Sequence, residues 1–201
     1  MSAVSTEPMA RVKAGGIKLS ERQLLVRGAF PIAGPDLTAV LIGLAAEQRI
    51  NMAFLSRTST ADLDRLVCCV PDRDQERLAT LVGSRPDLDR RLTLGPLVGV
   101  LSVFPHHRRI QLFGLLLSAL GQAGIALYGS MSSISTISFV VAYDDLGRAV
   151  GAVEGHLQLP ANAAPLKPQF RVEQSPIAKP EGQEAGEQRS AHDGLPPKTE
   201  T

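Results

Sequence analysis

The 201 residues suit one domain of moderate size or two small ones, and the 44 % apolar content is that of an ordinary water-soluble globule. A formal net charge of +1 gives no bulk electrostatic pull toward nucleic acid, and with 4 % aromatic residues and no Trp there is little material for stacking bases. The stretch 1–13 has no apolar core of the kind a secretory signal needs. The longest apolar run, around Leu112 to Leu120, is too short to cross a bilayer, so the sequence reads as cytosolic with no membrane partner.

In chain order, residues 1–13 read as disordered. A hairpin is expected next, Gly16 to Leu19 against Gln23 to Gly28, turning at Ser20-Glu21-Arg22. Pro35 fits the first turn of a helix, where its missing N–H costs nothing, and Asp36 adds negative charge at the positive helix end. Leu37, Val40, Leu41 and Leu44 then mark one helical face, closed by Gln48 and Arg49. Ile50 to Ser56 and Leu63 to Val70 read as paired strands. Asp72 or Asp74 is expected to cap a helix bearing Leu78, Leu81 and Val82.

The order then repeats. Arg91 to Leu94 and Leu97 to Phe104 read as two strands or one bent strand, broken at Gly95-Pro96. A basic loop, His106-His107-Arg108-Arg109, leads into a helix over Ile110 to Gln122 with Gly124 as its stop. Strands at Ile125 to Gly129 and Ile134 to Ala142 flank the turn Ser130 to Ser133. Asp144-Asp145 opens a helix carrying Leu146, Ala149, Val150, Val153 and Leu157. Phe30-Pro31 recurs as Phe104-Pro105, 74 positions on, and the first long helix recurs 75 positions on. A repeat this long is a duplicated small domain. Strand-helix-strand-strand-helix closed by a strand is the split βαβ, ferredoxin-like arrangement. One sheet face of each copy is left uncovered, and the second copy is the expected cover. The reading is therefore α+β with two ferredoxin-like βαββαβ modules in tandem, sheets side by side: residues 14–94 and 95–159, followed by a largely disordered tail over 160–201 rich in Pro, Glu, Gln and Lys.

Little in the chain is arranged for chemistry. There is no GxSxG elbow, no phosphate-binding glycine loop and no clustered Cys and His at zinc spacing. Cys68 and Cys69 are adjacent in a strand and so face opposite ways, as small buried hydrophobes do. The paired acids Asp72/Asp74 and Asp144/Asp145 sit at helix starts, where capping explains them. No catalytic residue, metal site or cofactor is expected.

Several segments resemble the ACT domains of aspartokinases. Gly16-Ile17, the strand ending Val26-Arg27-Gly28 and the helix running into Ile50-Asn51-Met52 are similar to the first. Ala123-Gly124-Ile125-Ala126-Leu127, Ser133 to Val141 and the run Tyr143 to Leu157 are similar to the second. With no kinase domain in the sequence, the resemblance implies a free-standing, non-catalytic regulatory module, a homodimer that binds a small amino acid at the seam between modules and serves a partner enzyme of amino-acid metabolism. Glycine and open backbone N–H groups at a helix start can hold a carboxylate. The resemblance places that role on the loop Ala33-Gly34-Pro35-Asp36, faced by Ser56-Arg57-Thr58. In the second copy the matching positions are Arg108 in the basic loop and Ser132-Ser133 in the serine turn. The loop here reverses the usual Gly and Pro order, and Ile134 stands where the family has Glu. A ligand-free dimerisation or docking subunit is the competing expectation.

Overall fold

The computed structural model describes residues 11–106 and 109–161, and the backbone of 168–170. Their elements are β1 (Val12–Lys13), β2 (Gly16–Ser20), β3 (Gln23–Pro31), α1 (Leu37–Glu47), β4 (Phe54–Ser59), β5 (Leu63–Pro71), α2 (Gln75–Gly83), α3 (Pro86–Asp89), β6 (Leu92–Phe104), α4 (Ile110–Gln122), β7 (Leu127–Ser132), β8 (Ile137–Ala142), α5 (Leu146–Glu154), β9 (Leu157–Gln158) and β10 (Pro168–Phe170). The fold is mixed α+β, built on a mostly antiparallel eight-stranded sheet. No helix among the described residues is long and apolar enough to cross a membrane.

Strand β6 is thirteen residues long and is paired along both edges. Val98 pairs with Gln23 of β3 on one side and Ala142 of β8 on the other. Leu101 to Val103 likewise pair with β2 on one side and β8 on the other. Strands β2 and β3 therefore run end to end along the same edge of β6. The expected hairpin between them does not form. Leu19 pairs with Leu101 and Gln23 with Val98, so Ser20 to Arg22 is a kink in one antiparallel path rather than a reversal. The side chain of Ser20 explains the kink: its Oγ accepts the Val100 N–H at 2.9 Å and donates to the Glu21 carbonyl at 2.7 Å.

This crossing gives each half of the sheet the same strand layout. The first half is β6–β3–β5–β4, using Leu92 to Val98 of β6; the second is β2–β6–β8–β7, using Val98 to Phe104. The strand that opens one half closes the other. Residues 16–20 accordingly lie in the core of the second half, where Ile17 and Leu19 join Leu101, Leu116, Phe139 and Val153. The first half has its own core under α1 and α2, with Leu24, Val26, Phe30, Leu41, Leu66 and Cys68. Of the helix faces read from the sequence, Leu37 and Leu41 on α1 and Leu146, Ala149 and Val153 on α5 are buried, Val40, Leu44 and Val150 are half-buried, and Leu157 lies on β9 rather than on α5; α4 buries Leu112, Leu116 and Leu120.

A third apolar cluster joins the sheet faces that the helices leave bare. Leu25, Phe54 and Cys69 of the first half meet Val98, Val100 and Val140 of the second. The contact is close, since a Cβ at Gly129 on β7 would lie 3.1 Å from the Phe54 ring. Cys68 and Cys69 fall on opposite faces, in different cores, and burial pushes the Cys68 thiol up to about 12.

The two halves also share their fastenings. Arg77 pairs with Asp74 and donates to the Gln48 carbonyl at the end of α1. Arg148 pairs with Asp145 at 2.6 Å and donates to the Ala123 carbonyl at the end of α4 at 2.8 Å. Neither Asp74 nor Asp145 makes the expected side-chain cap; each ends a short 3-10 turn and holds an arginine instead. Both long helices end in a left-handed residue followed by a buried Ile. In α4 that residue is Gly124 (φ +66°), as its sequence position implied; in α1 it is Arg49 (φ +55°), 75 positions earlier. The N–H of Ile50 returns to the Ala45 carbonyl and that of Ile125 to the Leu120 carbonyl, at 2.8 and 3.0 Å. A Cβ is disfavoured in this conformation and glycine is not. Arg49→Gly should therefore raise unfolding stability by about 1 kcal/mol, and Gly124→Ala should lower it by about the same amount. Urea titration checks both; a loss of stability in Arg49→Gly would show that the arginine side chain outweighs the backbone term.

Candidate functional site

The residues singled out in the first half come together at one end of α1. Asp36 is the N-cap of this helix, one position before its first turn, and Pro35 precedes the cap rather than entering the helix. Asp36 Oδ1 accepts the Ala39 N–H at 3.0 Å. Its other oxygen accepts from Arg57 at 2.7 Å. Arg57 lies on β4, and its second nitrogen donates to Asp64 on β5. Ser59 Oγ donates to the remaining Asp64 oxygen. One guanidinium thus spans two carboxylates drawn from the loop and the neighbouring strand. The Ala39 amide, then Arg57, hold Asp36 below its ordinary range; Ser59, then Arg57, do the same for Asp64. Both carboxylates in turn push the Arg57 guanidinium up.

Ala33, Gly34 and Pro35 form the exposed crest of this loop. Gly34 has φ +114°, which the turn requires and which side chains rarely adopt. Ser56 and Thr58 alternate with Arg57 along β4, so they face the other side of the sheet from the cluster. Beside the loop is an open groove of about 580 Å³ between Pro31 to Leu37 and the α3 segment with Asp87 and Arg90.

In the second half, Ser133 shapes the turn after β7. Its Oγ accepts the Thr136 N–H at 3.0 Å, and its own N–H donates to the Thr136 carbonyl at 2.8 Å. The ring of buried His106 donates through Nε2 to the Ser133 carbonyl at 2.9 Å. Ser132 is exposed beside it, as is Ile134, at 80 %. Arg108 lies outside the described residues. No hydrogen bond or ion pair among the described residues links Ser132 or Ser133 to the Asp36–Arg57–Asp64 cluster. Among those residues no group of three His, Cys, Asp or Glu is placed to hold a metal.

Sequence reasoning missed a second concavity. A cleft of about 300 Å³ lies on the face of β2 and β6 away from the helices, lined by Lys18, Ser20, Val100, Ser102 and Phe104. Ala53 of the first half forms one wall; Pro105, Ser135 and Thr136 form another. Alternation along β6 was the available signal, because Val98, Val100, Ser102 and Phe104 must share a face.

Three solved structures place this architecture. The regulatory subunit of aspartate kinase from Thermus thermophilus, in its ligand-free form, superposes with a TM-score of 0.63 at 14 % identity, covering 72 % of this chain and 99 % of that one. The chain has the fold of aspartate kinase regulatory subunits. The corresponding subunit from Thermus flavus gives 0.61 at 14 % identity, over 71 % of this chain and 97 % of that one. Aspartate kinase from Synechocystis gives 0.59 at 12 % identity, with this chain covering 28 % of its length. No family model matches the sequence, and curated proteins give no significant match.

The Arg57 bridge sets an acid limit on the aspartate-kinase-regulatory fold in this chain. Asp36 and Asp64 have folded-state values below the ordinary 3.8. Their contribution is fully present above that value and is lost as pH falls through the lower folded values. Stability should hold from neutral pH down to about pH 4 as far as these groups decide it, then decline. Arg57→Met should lower the plateau and make the decline below it shallower. Urea midpoints measured against pH check this; two parallel curves would remove the bridge from the account.

Proposed function

We propose that the chain is a non-catalytic regulatory module of the aspartate kinase type. In this reading its two halves are ferredoxin-like βαββαβ modules of the ACT kind, and a small amino acid binds at the seam between modules. The protein works as a homodimer beside an enzyme of amino-acid metabolism. The observation that carries the reading is the shared fold, matched over 99 % of the length of a regulatory subunit. The loop Ala33 to Asp36 with Arg57 supplies one binding position, Ser56 and Thr58 facing the other side of the sheet, and Arg108, Ser132 and Ser133 supply its counterpart. The Asp36–Arg57–Asp64 cluster holds two carboxylates against one guanidinium, so its net charge favours the ammonium end of the amino acid. A ligand that prefers one arrangement of the modules shifts the population toward it, and that shift is the regulatory signal.

Calorimetry of the full chain against the twenty amino acids tests the reading. One of them should bind, and Gly34→Ala or Arg57→Ala should weaken that binding at least tenfold. Absence of heat from all twenty would overturn it.

One observation favours a second reading, a docking subunit without effector. Asp36 already caps α1 with its own carboxylate, in the position a bound carboxylate would take, and Arg57 is engaged on both sides. Under that reading the Gly34 and Arg57 variants leave regulation in the cell unchanged.

A further inference from the structure

The first-half sheet face that α1 and α2 leave bare seals against the second half near the crossing, at Leu25, Phe54 and Cys69. Strand alternation carries the same face outward through Arg27 and Ala29 on β3, Arg65 on β5, and Ser56 and Thr58 on β4. Arg27, Ala29, Arg65 and Thr58 are exposed. Arg27 stands opposite Val67 and Arg65 opposite Ala29, so the two arginines are diagonal neighbours, about 7 Å apart. Neither makes a hydrogen bond or ion pair among the described residues. Two guanidinium groups this close repel each other, and an anion laid between them removes the repulsion. The second half has no such pair: where Arg27 faces Val67, Ser102 faces Ser138.

The chain carries a matching anion. Strand β10 pairs parallel with β2, position 170 opposite Ser20, so the chain leaves β10 heading along the β2–β3 path toward Arg27. Further on, Pro180 to Gln188 carries Glu181, Glu184 and Glu187 and no Lys or Arg. The seven strand residues from Ser20 to Arg27 cover about 23 Å. The eleven residues from position 170 to Glu181 reach up to about 36 Å. We propose that segment 180–188 of this chain docks on the bare first-half face, its glutamates pairing with Arg27 and Arg65. Ser56 and Thr58 on the same face offer hydroxyl donors to the remaining carboxylate oxygens. The tether favours the chain's own segment over that of a second copy, because it raises the effective concentration. Arg57 lies on the opposite face, so the docking neither needs nor blocks the amino-acid site.

Paramagnetic relaxation on the full chain tests the proposal. Cys68 and Cys69 are buried, so the cysteine of Gln183→Cys takes a nitroxide selectively. At low ionic strength the amide signals of Arg27 and Arg65 should weaken at least twofold relative to the reduced label. High salt should restore them, as should replacing Glu181, Glu184 and Glu187 with Gln. Arg27→Glu with Arg65→Glu should restore them too, and changing the three glutamates to Arg in that background should bring the weakening back. If the arginine variant does not fold, the glutamate set decides alone. Signals that never weaken, or weakening that survives the glutamate substitutions, would overturn the docking. So would equal weakening in unlabelled chains mixed with nitroxide-bearing ones, which would assign the segment to a second copy.

Discussion

The structure depends on the two-edged pairing of β6. One thirteen-residue strand gives its first half to one sheet region and its second half to the other, and the collinear β2 and β3 do the same in the opposite direction. Each half therefore closes its sheet with a strand whose continuation opens the other half. Backbone groups in β6 that satisfy one region are covalently continuous with those that satisfy the next. Neither half can lose its shared strand without exposing an unpaired edge and half an apolar core. This is why residues 16–20, which precede the first half in the chain, are buried with the second.

The same pairing decides what the uncovered sheet faces become. The two halves are offset by 75 residues, Arg49 answering to Gly124 at the helix ends, whereas the Phe-Pro pairs are offset by 74. A shift of one residue in a strand moves a side chain to the other face. Phe30 is thus 1 % exposed beneath the helices, while Phe104 faces away from them and walls the cleft. Close to the crossing, the bare faces carry Leu25, Cys69, Val98 and Val100 and seal against each other. Further out along β6 the same face turns polar, at Ser102, and the seal opens into a cavity.

Most of the periodic signal was legible. Helices α1 and α5 bury residues of the faces that their Leu and Val spacing marks, and Gly124 ends its helix as glycine does. The repeat itself could be read because both copies keep their order of elements. What escaped was set by partners distant in the chain. Ser20-Glu21-Arg22 has turn composition, and only the bond from Val100 to Ser20 shows that the chain runs straight on. Asp74 and Asp145 have capping composition, and arginines tied to carbonyls 29 and 25 residues away take them instead. At the candidate site, the loop and β4 could be named from the order of elements, but Asp64, the second anchor of Arg57, could not. It lies one strand further, in hydrogen-bond register rather than in sequence pattern.

Charge separates the two concave regions more sharply than shape does. At the start of α1, two carboxylates held in the ionised form surround one guanidinium, and the helix's positive end is already met by Asp36. An incoming carboxylate there must displace a carboxylate that the fold supplies. The cleft on β2 and β6 is lined instead by apolar and hydroxylic side chains with Lys18, and no carboxylate is among its described lining residues.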